Sequence, residues 1–154
     1  MPTEITPERP DTPDAIALIA ELDATLDVLY PRESRHGYAV EKLIAEGVAF
    51  FVIRHDAVPA GCGGVQLYGT EYGELKRMYV RPRFRGSGLA AALLFRLTAH
   101  ARDHGIRVLR LETGIHQLAA IRFYEREGFT RIGPFGEYTD DPLSRYYEKQ
   151  LGTL

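Results

Sequence analysis

One cysteine, no pronounced charge of either sign and no apolar run longer than a few residues mark this chain first by what it lacks. Cys62 alone cannot close an internal disulfide, so no disulfide framework holds the fold. Flanked by glycines in an apolar stretch, it reads as a small buried thiol, and a reducing cytoplasm is the expected setting. A formal charge of -2 gives no global field for nucleic acid or an anionic membrane, so neither is an expected partner. The longest apolar run, Leu89 to Phe95, is too short to cross a bilayer, and Met1-Pro2-Thr3-Glu4 does not open a basic-then-apolar leader. The expectation is one untargeted domain, residues 1–154, with 45% hydrophobic residues to bury a single core.

The apolar periods predict the elements. A short strand near Thr3 to Thr6 precedes a helix capped by Asp11 or Thr12, with Pro13 in its first turn and Ile16, Ile19, Leu22 and Leu26 at helical spacing. A polar loop from Pro31 to Gly37 leads to a short helical pattern in Val40, Leu43 and Ile44. Three strand-like runs follow as an antiparallel meander: Ala49 to Ile53, Gly61 to Tyr68 and Glu74 to Val80. The period then changes to helical through Leu89, Leu93 and Leu97 as far as His104-Gly105. A strand from Val108 to Leu111, a helix from Gln117 to Glu127 ended by Gly128, and final strands Phe129 to Ile132 and Tyr146 to Leu151 complete a mixed α/β sheet, mostly antiparallel and flanked by helices.

The sharpest local signal is Arg85-Gly86-Ser87-Gly88-Leu89-Ala90 at the start of the long helix. Glycines at a helix start expose bare N–H groups at the positive end of the helix dipole, which suits a diphosphate, and Arg81, Arg83 and Arg85 add positive charge. Gly86-x-Gly88-x-x-Ala91 also satisfies the dinucleotide fingerprint, with Glu112 about where a ribose-binding acid would stand. Five intervening residues and an antiparallel meander before the turn count against a nicotinamide cofactor.

Arg85, Gly88 and Ala90 match the Gln/Arg-x-x-Gly-x-Gly/Ala pattern of the GNAT family of N-acetyltransferases, which the chain resembles from the first helix to Leu151. That resemblance implies acetyl-coenzyme A as co-substrate, with the main chain of Met78, Tyr79 and Val80 on the pantetheine arm and Arg85, Gly86, Ser87, Gly88, Leu89 and Ala90 on the pyrophosphate. The family's Asn-x-x-Ala signature is matched by Gln117 and Ala120, with Gln in place of Asn. Tyr124, before Gly128-Phe129, stands where the family places the acid that protonates the departing thiolate. Helical spacing puts Gln117, Ala120 or Ile121, and Tyr124 on one side.

A lysine-like amine costs roughly 4 to 5 kcal/mol to deprotonate at pH 7, an α-amine roughly 1, so the need for a base depends on the acceptor. Glu74 is the first candidate; strict strand alternation puts it on one face with Lys76, Met78 and Val80, opposite Leu75, Arg77 and Tyr79. Glu112 is the second. The acceptor, a primary amine of a small molecule or peptide, is expected between Tyr30 to His36 and Pro134 to Ser144, with Arg32, Arg35 and His36 able to meet a carboxylate. Glu-Ser-x-His, Gly-Glu-Leu-Lys, Leu-Glu-Thr-Gly and Asp-Pro-Leu-Ser resemble a bacterial subgroup labelled indole-acetate acetyltransferase, although an acetic acid side chain offers no amine. His100 and His104 lack the glutamate of a metalloprotease helix, so no metal is expected. A homodimer fits family habit without a sequence feature to specify it. A non-catalytic acyl-coenzyme A sensor on the same fold is the alternative to an enzyme.

These readings separate in a thermal-shift measurement. Coenzyme A at about 100 times its Kd should stabilise the protein by about 2.7 kcal/mol, and NAD should leave its melting unchanged. Protection by NAD alone would restore the dinucleotide reading.

Overall fold

The computed structural model describes residues 2–152. Its strands are β1 (Thr3–Pro7), β2 (Ala49–His55), β3 (Val58–Tyr68), β4 (Tyr72–Val80), β5 (Val108–Gly114), β6 (Thr130–Ile132) and β7 (Ser144–Gln150); its α-helices are α1 (Pro13–Leu29), α2 (Val40–Ala45), α3 (Leu89–Asp103) and α4 (Leu118–Arg126). The strands form one sheet in the order β1-β2-β3-β4-β5-β7-β6, antiparallel throughout except for the β4–β5 pair. Short turns close the β2–β3–β4 meander, whereas the parallel step from β4 to β5 needs the crossover that α3 supplies.

Helices cover both faces. On one, Leu89, Leu93, Leu94 and Leu97 of α3 and Ile121 and Tyr124 of α4 pack on Phe51, Val65, Leu75, Leu109 and Leu111. On the other, Ala15, Leu18, Ile19 and Leu22 of α1 meet Phe50, Val52, Cys62 and Tyr79. Cys62 is buried as its surroundings imply, and burial pushes its thiol up to about 12.

Thr12 caps α1, its hydroxyl accepting from the Ala15 N–H at 3.3 Å, and Pro13 takes the first helical position, where no N–H is needed. The apolar stripe of α1 is rotated from its expected line. Ile16 is 46% exposed, while Ala15 and Leu18 carry the contact with Ile19 and Leu22. The small Ala15 lets the helix approach the sheet closely, a service the apolar count of larger side chains overlooks.

A second departure lies in β4. Cys62 pairs with Tyr79 and Gly64 with Lys76, so Arg77 and Met78 together face Gly63 in a β-bulge, with Arg77 in the left-handed region at φ 55°. Alternation therefore breaks. Met78 packs with Leu75 in the α3 cluster, and Arg77 turns towards α1, on the side of Tyr79. The expected common face of Glu74, Lys76 and Met78 is corrected: Met78 lies opposite the other two.

Burial orders the stability effects. Ile19→Ala should cost about 2–5 kcal/mol in urea denaturation, whereas Ile16→Ala should change stability by no more than about 0.5 kcal/mol. Equal losses would contradict the rotated stripe.

Candidate active site

Among the described residues, the one parallel strand pair is also the least complete. β4 and β5 are in register at Gly73 with Leu109 and Glu74 with Arg110, and beyond these residues they part. The bulge at Arg77 increases the local twist of β4 where the strands separate, while β5 stays paired to β7 from Val108 to Gly114. The opening holds a cavity of about 100 Å³. Leu75 to Met78 form one wall and Leu111 to Gly114 the other; Ala120 and Tyr124 of α4 close one side, and Tyr30, His36 and Tyr138 the other.

Beyond β4, the chain makes a 3₁₀ turn over Pro82–Phe84 and enters α3 through Gly86 and Gly88, at φ 80° and 83°. Beyond the adjoining residues, nothing lies within 4 Å of where a side chain would start on either glycine, and no side chain caps the helix, so its first N–H groups have no side-chain partner. Arg85 is exposed and anchored by its Nε to the Val80 carbonyl at 2.9 Å; Ser87 Oγ donates to the Phe84 carbonyl at 2.5 Å. The three arginines do not act alike. Arg81 is held by Glu21 of α1 at 2.7 Å and by the Pro59 carbonyl at 2.9 Å, which gives it a structural tie between helix and sheet; Arg83 stacks 4.6 Å from the Phe84 ring.

Of the expected α4 side, Gln117, Ala120 and Tyr124 meet the cleft, and Ile121 turns into the core. Gln117 sits at the N-cap position, where its Oε1 accepts from the Gly114 N–H at 2.9 Å. The side chain thus fixes the end of β5. Tyr124 is buried between Phe123 and Phe129, and its hydroxyl donates to Met78 Sδ at 3.6 Å. Burial raises its pKa, so the phenol keeps its proton across the physiological range. A thioether is a weak acceptor, readily exchanged for a better one.

The two carboxylates differ in access. Glu74 is 2% exposed, pairs with Lys76 Nζ at 2.9 Å and accepts from the Tyr138 hydroxyl at 2.5 Å. The Lys76 ammonium also lies 3.9 Å from the centre of the Tyr38 ring, so Glu74 sits behind Lys76 and Tyr138 rather than on the cavity wall. Burial and the charge of Glu74 both push the Tyr138 phenol up. Glu112 is on the wall. Its Oε2 accepts from Ser144 Oγ at 2.7 Å, and desolvation raises its pKa above the usual carboxylate range.

The two loops expected to flank the acceptor meet through His36 Nε2 and Asp141 Oδ2 at 3.2 Å, and the His36 ring stands edge-on to Tyr138. Arg35 is bound to Asp23 and Asp27, and Arg77 to Asp23. Tyr138 and Ser144 belong to the second of these loops, but sequence reasoning gave neither a role, and it overlooked Asp23. Asp23 and Asp27 stand one helical turn apart, a readable sign of a shared cation, whereas the other two gain meaning only from long-range packing. Among the described residues, no cluster of three or more His, Cys, Asp or Glu side chains could hold a metal ion, and no helix is long and apolar enough to cross a membrane.

Known proteins agree with this architecture. Residues 16–129 match the family model described as the acetyltransferase (GNAT) family. An IAA acetyltransferase of Azospirillum brasilense is 42% identical over 149 residues, 96% of this chain and 97% of that protein. The crystal structure of a candidate acyl-CoA N-acyltransferase from Klebsiella pneumoniae superimposes with a TM-score of 0.83 at 38% identity, covering 97% of this chain and 98% of that one. The Thermoplasma acidophilum PaiA N-acetyltransferase, solved in complex with coenzyme A, shares the fold at a TM-score of 0.78 and 22% identity, over 97% of this chain and 99% of its own. With the family model spanning most of the sequence and a close relative matched nearly end to end, the chain belongs to the GNAT family of N-acetyltransferases.

Proposed function

We propose that the protein moves the acetyl group of acetyl-coenzyme A to a primary amine by direct attack. The observation that carries this reading is the parting of β4 from β5 beside an uncapped helix start: a narrow slot for an extended chain ends near a turn suited to its phosphates. The main chain of Met78, Tyr79 and Val80 would bind the pantetheine arm, and Arg85, Gly86, Ser87, Gly88, Leu89 and Ala90 the pyrophosphate. The bare glycines and the anchored guanidinium fit that group. Gln117 and Ala120 line the thioester end.

In the transfer, the amine nitrogen bonds to the acetyl carbon as the carbon–sulfur bond breaks, one proton leaves the nitrogen, and the sulfur gains one. Tyr124 supplies a hydroxyl at the sulfur end. Its raised pKa makes full proton transfer demanding, but a thiolate near pKa 8.5 leaves adequately with a strong hydrogen bond. For the nitrogen's proton, Glu112 is the better-placed carboxylate because it faces the cleft, and its raised pKa strengthens it as a base. Glu74, the first expectation from the sequence, takes a positioning role through Lys76 and Tyr138.

A panel of amines read by free thiol release tests the proposal. Binding of acetyl-coenzyme A without thiol release from any amine would favour a sensor instead. Tyr124→Phe should lower kcat by about 10- to 100-fold, the low end of general-acid effects, with coenzyme A affinity retained. Unchanged turnover would remove Tyr124 from the chemistry. For Glu112 the carboxylate form is active, so kcat/KM should climb through an acidic limb displaced above the ordinary carboxylate range, and Glu112→Gln should abolish that limb. If the limb persists in that variant, the proton goes to Glu74 or elsewhere.

A further inference from the structure

The cleft contains two arginines that share a single carboxylate oxygen. Arg35 donates to Asp23 Oδ1 at 2.8 Å and also reaches Asp27, while Arg77 comes from β4 to the same Asp23 oxygen. The Arg77 side chain is 3% exposed and that of Arg35 21%, so neither is merely a solvated surface charge. Each keeps a buried Nε with no hydrogen-bond partner. Among the described residues five buried side-chain polar atoms lack a partner, and these two are the ones whose residues line the cavity.

The fold gives up regularity to hold Arg77 there. Its left-handed backbone at φ 55° is an uncommon conformation for a residue with a side chain, and the bulge redirects it from the α3 face to the cleft. Gly37 completes the arrangement: a side chain there would begin 2.0 Å from Arg77 Nη1, so the bare glycine leaves the guanidinium room between loop and strand. The neighbouring cation Lys76 is held by Glu74 and lies over the Tyr38 ring, and unlike the two arginines it has no nitrogen left without a partner. Within the same cleft Glu112 presents the opposite charge.

We propose that the acceptor is a small amino acid or a close analogue, its carboxylate received by Arg77 and Arg35 and its amine directed to Glu112. This rests on the acetyl-transfer reading above and names its acceptor class. A zwitterion adds no net charge to a cleft where Arg35 and Arg77 already face Asp23 and Asp27, and its carboxylate would meet the guanidinium donors that those acids leave unused. The guanidinium fork matches the flat pair of oxygens of a carboxylate.

The test uses matched pairs, amino acids against their carboxamides, in thiol-release kinetics, and N-acetyl amino acids against N-acetyl carboxamides in calorimetric titration of the coenzyme A-loaded protein. The acid of each pair should exceed its amide by about 10- to 100-fold in kcat/KM and in product affinity, the worth of hydrogen bonds to a charged group. Arg77→Gln and Arg35→Gln should erase that ratio chiefly by raising KM for the acid, and Arg77→Lys should restore part of it. Should Arg77→Gln not fold, Arg35→Gln and the wild-type ratios still decide the matter. Equal ratios in the wild-type protein overturn the proposal, as does a preference for aminophosphonates over amino acids. Failure of the underlying acetyl-transfer reading shows separately, as no stabilisation by coenzyme A and no thiol release with any amine.

Discussion

Main-chain hydrogen bonds between β4 and β5 end just past Glu74, and that early release fixes what the rest of the molecule must do. A strand that loses its neighbour on one side leaves polar groups that need a partner or solvent. β3 continues to pair with β4 as far as Val80, and β7 with β5 along its length, so each half of the sheet stays intact while the gap opens between them. The two apolar clusters make this tolerable: α3 and α4 pack beneath one face, α1 and α2 above the other, and together they hold the two halves where backbone bonding does not. The crossover through α3 brings the uncapped glycine turn to the end of the strand that borders the gap.

The order of elements was legible because it rests on local rules. The change of period after Pro82, the proline at the start of α1 and the glycine after α4 each act within a turn or two of chain. What escaped was set by contacts between distant residues. Strict alternation could not reveal the bulge at Arg77, because the extra residue is defined by its pairing with Gly63 across the strand boundary. For Glu74 the sequence leaves open a base or a charge paired with Lys76 or Arg77; the Lys76 pair is present, and what no local rule shows is that Tyr138, sixty-four positions on, completes the enclosure. Glu112 drew less attention from sequence alone, and its exposure to the cleft follows from the parting of two strands that no short motif encodes.

Charge is distributed in this fold with a consistent logic. Glu21 with Arg81, and Asp23 with Arg77 and Arg35, both run from α1 to segments that border the cleft, so one helix orients cations at the end of β4, just beyond it and on the Pro31 to Gly37 loop. Such pairs gain little where solvent screens them, and removing one partner of a buried pair is costly because the other is left uncompensated. The His36–Asp141 contact performs a related service for the loops, joining segments 105 residues apart over the same opening.

The gap between β4 and β5 also alters the sheet's exposure to other chains. A seven-stranded sheet ordinarily has two edges, and here both are short: β1 ends in Pro7, which has no N–H to offer, and β6 spans three residues. Parting the central strands creates two inner edges, recessed between helices. Another sheet is too broad to enter there, while a thin extended molecule can lie alongside the open backbone. The sheet's interruption is thus recessed at its centre, while its outer borders offer little template for aggregation.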